Sequence, residues 1–137
     1  MEEALLKKEE APESRLVKLL LEKDLQITCA ESCTGGMIAS LLVNVPGVSE
    51  ILMESYVTYS NEAKHRLLGV EQEALSEYGA VSQQVAFQMA EGVYIGTYLC
   101  GNIRVTENHF LGERYEIRKQ AAEAALLQLT AQLTEQG

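Results

Sequence analysis

The feature that most constrains the fold is a β-prone run that passes directly into a glycine-containing turn and then into a helical pattern. Residues 26–30 form the run, residues 31–36 (ESCTGG) form the turn, and helical spacing continues over 37–45. A strand, a tight turn and a helix in this order are typical of α/β proteins, which place ligand sites where strands end. We therefore expect a functional site at residues 31–36.

A second strand and several helices follow. Residues 51–59 are rich in β-branched and aromatic side chains and predict a strand. A helical pattern then covers 61–68 and stops at Gly69, and two more cover 72–78 and 82–91. This alternation of strands and helices indicates an α/β layer structure.

The chain closes with a predicted hairpin and a long helix. The β-prone runs 93–100 and 103–110 are separated by Gly101-Asn102, a strong hairpin signal. A helix predicted over 113–132 has an apolar face at steps of four, three and four residues: Ala122, Leu126, Leu129 and Leu133. Together the patterns predict an α/β fold, a three-layer α/β/α sandwich with a mixed sheet and a C-terminal hairpin plus helix.

Length and charge narrow the organisation. The 137 residues, 47% of them hydrophobic, suit one domain over 14–137, and Pro12 separates it from an amino-terminal arm, residues 1–13, within a helical pattern over 1–24. A net charge of −9 disfavours nucleic acid and anionic membrane surfaces as partners. Apolar runs are far shorter than the roughly 18 residues of a membrane span. Three cysteines and an acidic amino terminus predict a cytoplasmic protein.

The turn at 31–36 has two interpretations of about equal weight. Gly35 and Gly36 let a substrate approach the backbone, and the first N–H groups of the following helix attract a negative oxygen, as in an oxyanion hole or a phosphate site. Alternatively, Ser32 or Thr34 caps the helix and the glycines only relieve a tight turn.

A second strand-to-helix junction, residues 58–64, contains Lys64. In a parallel sheet it would lie beside the first junction. Burial lowers the pKa of a lysine, and a neutral amine can take the proton of a serine hydroxyl. A solvated helix lysine is the commoner case. Tyr59 could donate a hydrogen bond to the serine or the substrate, although strand tyrosines more often pack in the core.

Other reactive side chains give weaker signals. Cys29 and Cys33 lack the further ligands of a zinc site, and neither His65 nor His109 stands in a context that marks it as a base for a Cys33 thiolate. A cysteine hydrolase that uses Cys33 is thus a weaker hypothesis than a hydrolase that uses Ser32. The arginines at 114 and 118 share one helical face and could bind a phosphate or carboxylate, or could be solvated beside the glutamates around them.

Several ordered motifs resemble one known family. Residues 30–36 (AESCTGG), 57–64 (VTYSNEAK), 79–82 (GAVS) and 89–92 (MAEG), with further matches into the last helix, are similar to the C-terminal domain of the competence/damage-inducible protein CinA. That domain is also found alone as bacterial nicotinamide-nucleotide amidohydrolase. The resemblance implies hydrolysis of nicotinamide mononucleotide to nicotinate mononucleotide and ammonia, without a metal or cofactor, by a homo-oligomer.

The resemblance also assigns roles to residues. It implies that Ser32 is the nucleophile, Lys64 the general base and then the acid, and Tyr59 a supporting hydrogen-bond donor. Six further positions would bind the substrate: Thr34, Gly35, Gly36, Asn61, Arg114 and Arg118. An amide is a poor electrophile, and an activated hydroxyl with a fixed oxyanion donor suits its hydrolysis.

One segment differs from the family pattern. Family members carry a further strand and a glycine-rich loop between Met-Ala-Glu-Gly and Val-Tyr-Ile-Gly, whereas here Gly92 runs directly into Val93. The alternative function is therefore a catalytically inactive nucleotide-binding or interaction domain that has lost the glycine-rich active-site loop.

Overall fold

The computed structural model describes residues 10–79 and 94–135 and is a mixed α/β protein. Its elements, in chain order, are α1 (Pro12–Glu22), β1 (Ile27–Glu31), α2 (Met37–Val43), a 3₁₀ turn (Val48–Glu50), β2 (Leu52–Val57), α3 (Asn61–Leu68), α4 (Gln72–Tyr78), β3 (Tyr94–Leu99), β4 (Asn102–Glu107) and α5 (Arg114–Glu135). The predicted α/β class is confirmed. The helix predicted over 82–91 and most of the arm lie outside the described residues.

The first two strands form a parallel pair that defines one edge of the molecule. β1 and β2 are joined through α2, and their last residues, Glu31 and Val57, stand opposite each other. The N–H of Thr58 donates to the carbonyl of Glu31 at 2.8 Å, so the pairing extends one residue beyond β2. Both strands therefore end at the same place, and the residues that follow them, Ser32 and Thr58, are brought together.

The hairpin is present, but its turn lies one residue earlier than predicted. Leu99 pairs with Asn102, so the two turn residues are Cys100 and Gly101, with φ of 48° and 89°. Two consecutive positive φ angles are the signature of the type I′ turn, whose twist matches that of the two strands. The prediction placed Asn102 in the turn because asparagine tolerates positive φ, whereas the register here assigns that conformation to Cys100.

The core lies between the helices and the two strand pairs. The predicted apolar face of α5 is confirmed, since Ala122, Leu126 and Leu133 are buried and Leu129 packs against the core. This face meets α1, whose Leu16 and Leu20 are buried in the same cluster. In the described residues the strands form two separate pairs, and the three-layer arrangement stays a prediction. No described helix has the length and apolar character needed to cross a membrane.

Candidate active site

The structure brings Ser32 and Lys64 into direct contact. Ser32 follows the last residue of β1, and Lys64 lies in the first turn of α3. The amine nitrogen Nζ of Lys64 lies 3.0 Å from the hydroxyl oxygen Oγ of Ser32. Lys64 is only 1% exposed, whereas Ser32 is partly exposed, so the contact joins a buried amine to a residue at the edge of the core.

Two backbone carbonyls hold the lysine amine in this position. Nζ of Lys64 donates to the carbonyl oxygens of Thr58 at 2.7 Å and Tyr59 at 2.9 Å. A carbonyl can only accept, and a neutral amine has two hydrogens and one lone pair. With the two hydrogens directed at the carbonyls, the lone pair is directed at Ser32; with the amine protonated, the third N–H points there. Both protonation states are accommodated without moving the side chain.

The start of α3 explains why Lys64 points back towards the strand ends. The Oγ of Ser60 accepts from the N–H of Ala63 at 3.0 Å, so the helix begins within three residues of the end of β2. This early start places the fourth helical residue, Lys64, beside the carbonyls that it contacts. Gly69, with φ of 68°, ends the helix as predicted.

The turn after β1 has the backbone conformation that its glycines predicted. Gly35 and Gly36 have φ of 61° and 98°, which residues with a Cβ seldom adopt. The N–H of Gly35 donates to the carbonyl of Ser32 at 2.9 Å and closes the turn. In the described part of the chain, no hydrogen bond uses the N–H of Thr34 or Gly36.

The first N–H groups of α2 are not available to a ligand, and this corrects the sequence prediction. The carboxylate of Glu31 turns back beneath the turn and accepts from the N–H of Ile38 at 2.8 Å and of Ala39 at 3.2 Å. It also accepts from the hydroxyl of Thr34 at 2.7 Å. Glu31 is fully buried, so an internal carboxylate occupies the site that was expected to attract an external anion.

Sequence reasoning missed Glu31 because its partners lie seven and eight residues further along the chain. An acidic residue shortly before a helix is a recognised signal, but capping interactions normally span two or three residues. Only the fold of the glycine turn brings the carboxylate of Glu31 under the start of α2.

Two arginines near the start of α5 contact the residues around Ser32 and Lys64. Arg118 donates through Nε to the carbonyl of Cys33 at 2.9 Å and through Nη2 to that of Thr34 at 3.0 Å. Arg114 is exposed, and its Nη2 donates to the hydroxyl of Tyr59 at 3.0 Å. Arg118 therefore fixes the turn, while Arg114 is directed to the outer surface beside it. The Tyr59 hydroxyl, which was expected near Ser32, contacts Arg114.

Asn61 and the two histidines are not part of the turn after β1. Asn61 is exposed at the start of α3. The Nδ1 of His65 lies 2.8 Å from the carbonyl oxygen of Val70, and the Nε2 of His109 lies 3.1 Å from a carboxylate oxygen of Glu107. Neither of these contacts involves Cys33, so neither pairs the thiol with a histidine. Among residues 10–79 and 94–135, no three His, Cys, Asp or Glu side chains come together as a metal site would require.

Cys29 lies behind the site with its thiol buried in the core. Burial, and to a smaller extent the nearby Glu31 carboxylate, raises the pKa of Cys29 to about 12. A thiol with this pKa stays protonated at neutral pH and is a poor nucleophile. Its role is packing between β1 and the core cluster.

Comparison with known proteins identifies the family. The model of the CinA C-terminal domain matches residues 9–95. The chain belongs to the CinA C-terminal domain family. Within described residues, the match includes both strand ends and the Ser32 to Lys64 contact.

Solved and curated CinA proteins are similar over most of this chain. A Clostridium beijerinckii protein, provisionally named competence-damage inducible protein, is 42% identical over 139 positions, 80% of this chain and 34% of its own length. A Clostridioides difficile protein of the same name is 40% identical over 155 positions, 91% of this chain and 37% of its own length. A crystal structure of a CinA superfamily protein from Escherichia coli has a TM-score of 0.80 and 28% identity, with 86% of each chain covered. The chain spans about a third of the length of these two curated relatives.

The alignments also show that this CinA domain is shortened. The 80% of this chain that aligns with the Clostridium beijerinckii protein is about 110 of 137 residues, whereas the alignment has 139 positions, about 30 more. In the alignment with the Clostridioides difficile protein, 91% of this chain is about 125 residues, again about 30 fewer than the 155 aligned positions. Both relatives therefore have about 30 positions that this chain lacks. The junction after Gly92, where the motif pattern predicts the loss, lies outside the described residues.

Proposed function

We propose that this domain is an amidohydrolase that converts nicotinamide mononucleotide to nicotinate mononucleotide and ammonia through Ser32 and Lys64. The observation that carries the proposal is the 3.0 Å contact between the Lys64 amine and the Ser32 hydroxyl, with the amine held by two carbonyls. Membership of the CinA family and the motif resemblance support the choice of substrate.

The first half of the reaction transfers the acyl group to the serine. The neutral Lys64 amine takes the Ser32 proton as Oγ attacks the carboxamide carbon, which forms a C–O bond and places negative charge on the carbonyl oxygen. The N–H groups of Thr34 and Gly36 are suited to stabilise that oxygen. Lys64 then returns the proton to the amide nitrogen, the C–N bond breaks, and ammonia leaves a nicotinyl ester on Ser32.

The second half repeats these proton transfers with water. Lys64 accepts a proton from water as the hydroxide attacks the ester carbon, and it returns that proton to Ser32 Oγ as the acid leaves. Because the amine can hold its proton against the same three oxygens, the side chain needs no rearrangement between the steps.

The neighbouring residues have supporting roles in this proposal. Arg118 positions the turn through the carbonyls of Cys33 and Thr34, and it brings positive charge close to the developing oxyanion. Arg114, exposed and held by Tyr59, is the better placed arginine to bind the phosphate of the nucleotide. Gly35, Gly36 and Asn61 would border the bound substrate.

A second candidate function follows from the shortened chain. Loss of about 30 positions relative to the CinA relatives is compatible with a domain that keeps the fold and binds a nucleotide or a partner without turnover. Calorimetric titration with nicotinamide mononucleotide distinguishes the two functions, because binding without ammonia release favours the inactive domain.

The enzymatic proposal is tested by ammonia release from nicotinamide mononucleotide, with nicotinate mononucleotide measured by chromatography. We expect S32A and K64M each to lower kcat by about a thousandfold or more, because the two groups act as one unit. Matched controls are S40A and K18M, which change an exposed serine of α2 and an exposed lysine of α1 and should leave kcat unchanged. The rate should fall towards low pH, where the amine is protonated. Equal activity in S32A and the original protein contradicts the proposal.

A further inference from the structure

A groove of about 480 Å³ lies between the two strand pairs, away from the Ser32 hydroxyl. One wall is the segment from Gln26 to Ala30, most of it in β1, and the other is the segment from Gly96 to Cys100 in β3 and its turn. Its lining includes apolar side chains of α1 and α5, among them Leu20 and Leu126, and none of its described lining residues is charged. The groove is therefore apolar and has a backbone strand on either side.

Both walls are strands with one edge unpaired in the part of the chain that the structure describes. Among residues 10–79 and 94–135, β1 pairs with β2 alone and β3 pairs with β4 alone. The N–H of Ile27 and the carbonyl of Glu31 bond to the β2 side, with a register shift between Ile27 and Thr28. Counted back from Glu31 within the regular part of the strand, alternation directs the N–H and carbonyl groups of Ala30 and Thr28 into the groove. This edge offers a ladder for another strand.

The opposite wall offers a matching ladder. In a hairpin with a two-residue turn, the closing pair, here Leu99 and Asn102, exchanges both hydrogen bonds, and the next such pair is Thr97 and Arg104. The backbone groups of Gly96 and Tyr98 therefore point away from β4 and into the groove. Gly96 also has no side chain to keep a second backbone away.

We propose that this groove binds an extended, apolar peptide segment of another polypeptide as a β-strand that hydrogen-bonds to β1 and β3 at once. A strand fits because each wall presents alternating donors and acceptors, and an apolar one fits because the lining carries no charge. The inserted strand would join the two strand pairs into one five-stranded sheet. The length that this chain lacks relative to its CinA relatives, about 30 positions, is ample for such a strand of about five or six residues.

The probe is a synthetic peptide that copies the positions of the Clostridium beijerinckii relative that have no counterpart here. Binding to the full chain is measured by fluorescence anisotropy, and backbone protection is measured by hydrogen exchange with NMR detection. We expect the amides of Thr28, Ala30, Gly96 and Tyr98 to exchange at least tenfold more slowly with peptide bound. The amides of Cys29 and Thr97, which face β2 and β4, should change much less and serve as internal controls.

Two further comparisons keep the test decisive. The same peptide with alternate backbone nitrogens methylated should bind at least tenfold more weakly, because it keeps its side chains and loses one ladder. A125F fills the groove and should weaken binding, whereas A124F, a change on the same helix outside the groove lining, should not. Equal binding of the methylated peptide, or no protection at Gly96 and Tyr98, overturns the proposal. A dimer of the chain that persists at saturating peptide, with Gly96 and Tyr98 already protected when no peptide is present, also overturns it, because a second copy then fills the groove.

Discussion

Replacing the buried Glu31 carboxylate with an amide should destabilise the domain by about 2–4 kcal/mol. In E31Q the amide oxygen can still accept from the hydroxyl of Thr34 and the N–H of Ile38, but the new NH₂ group faces the N–H of Ala39. One charge-assisted hydrogen bond, worth about 1.5–3 kcal/mol, becomes a contact between two donors. The favourable interaction of the charge with the start of α2, about 0.3–1 kcal/mol, is also lost.

The assay is urea unfolding followed by far-ultraviolet circular dichroism, with E22Q as the matched control. Glu22 is exposed at the end of α1, and its change should stay within about 0.5 kcal/mol. E31A should destabilise the domain more than E31Q, because it leaves three donors without an acceptor and opens a cavity. If E31Q and E22Q have the same free energy of unfolding at equal m-values, the carboxylate does not hold the start of α2 and our account of the turn is wrong.

Three further predictions concern single positions around the site. The buried Thr58 hydroxyl has no hydrogen-bond partner in the described structure. T58V should therefore leave the free energy of unfolding by urea unchanged or raise it by about 1 kcal/mol. A fall of more than about 1 kcal/mol would show that the hydroxyl has a partner and would contradict this prediction. Iodoacetamide at pH 8 should modify the exposed Cys100 first, whereas Cys29, its pKa raised to about 12, should react only on unfolding, as mass spectrometry will show. G35A should lower the free energy of unfolding by about 1–2 kcal/mol, because Gly35 has a positive φ. The matched control G69A should cost less. A Cβ at Gly35 would lie 3.1 Å from a guanidinium nitrogen of Arg118, whereas one at Gly69 would meet no atom within 4 Å.

Local signals predicted both ends of two helices, whereas the predicted strand over 103–110 lies at Asn102–Glu107. The helices over 61–68 and 72–78 were predicted at their observed bounds because the residue after each, Gly69 and Gly79, takes the positive φ that ends the helix. The hairpin turn was placed one residue too late, since Cys100 adopts a left-handed conformation that its side chain does not favour. Register is decided by the pairing of whole strands, and no single residue reports it.

The candidate site was predictable only in part. Ser32 and Lys64 could be selected because each lies just after a predicted strand, and parallel strands end at one edge. The part that Arg118 has in the site could not be derived in this way, because its carbonyl partners lie more than 80 residues earlier and contact it only when α5 packs across the molecule. Its four-residue spacing from Arg114 indicated a shared helical face, but the two side chains reach different targets.

Both proposals involve β1, and each concerns a different edge of this strand. One edge pairs with β2 and sets the contact between Ser32 and Lys64, and the other faces the groove. The Lys64 amine bonds to Ser32, Thr58 and Tyr59, none of which lines the groove. Ala30, however, lines the groove two residues before Ser32. A strand bound to this edge would therefore restrict the backbone that leads into the turn at residues 31–36. Under both proposals we expect a bound peptide to change the rate of ammonia release from nicotinamide mononucleotide, and an unchanged rate at saturating peptide would contradict this coupling.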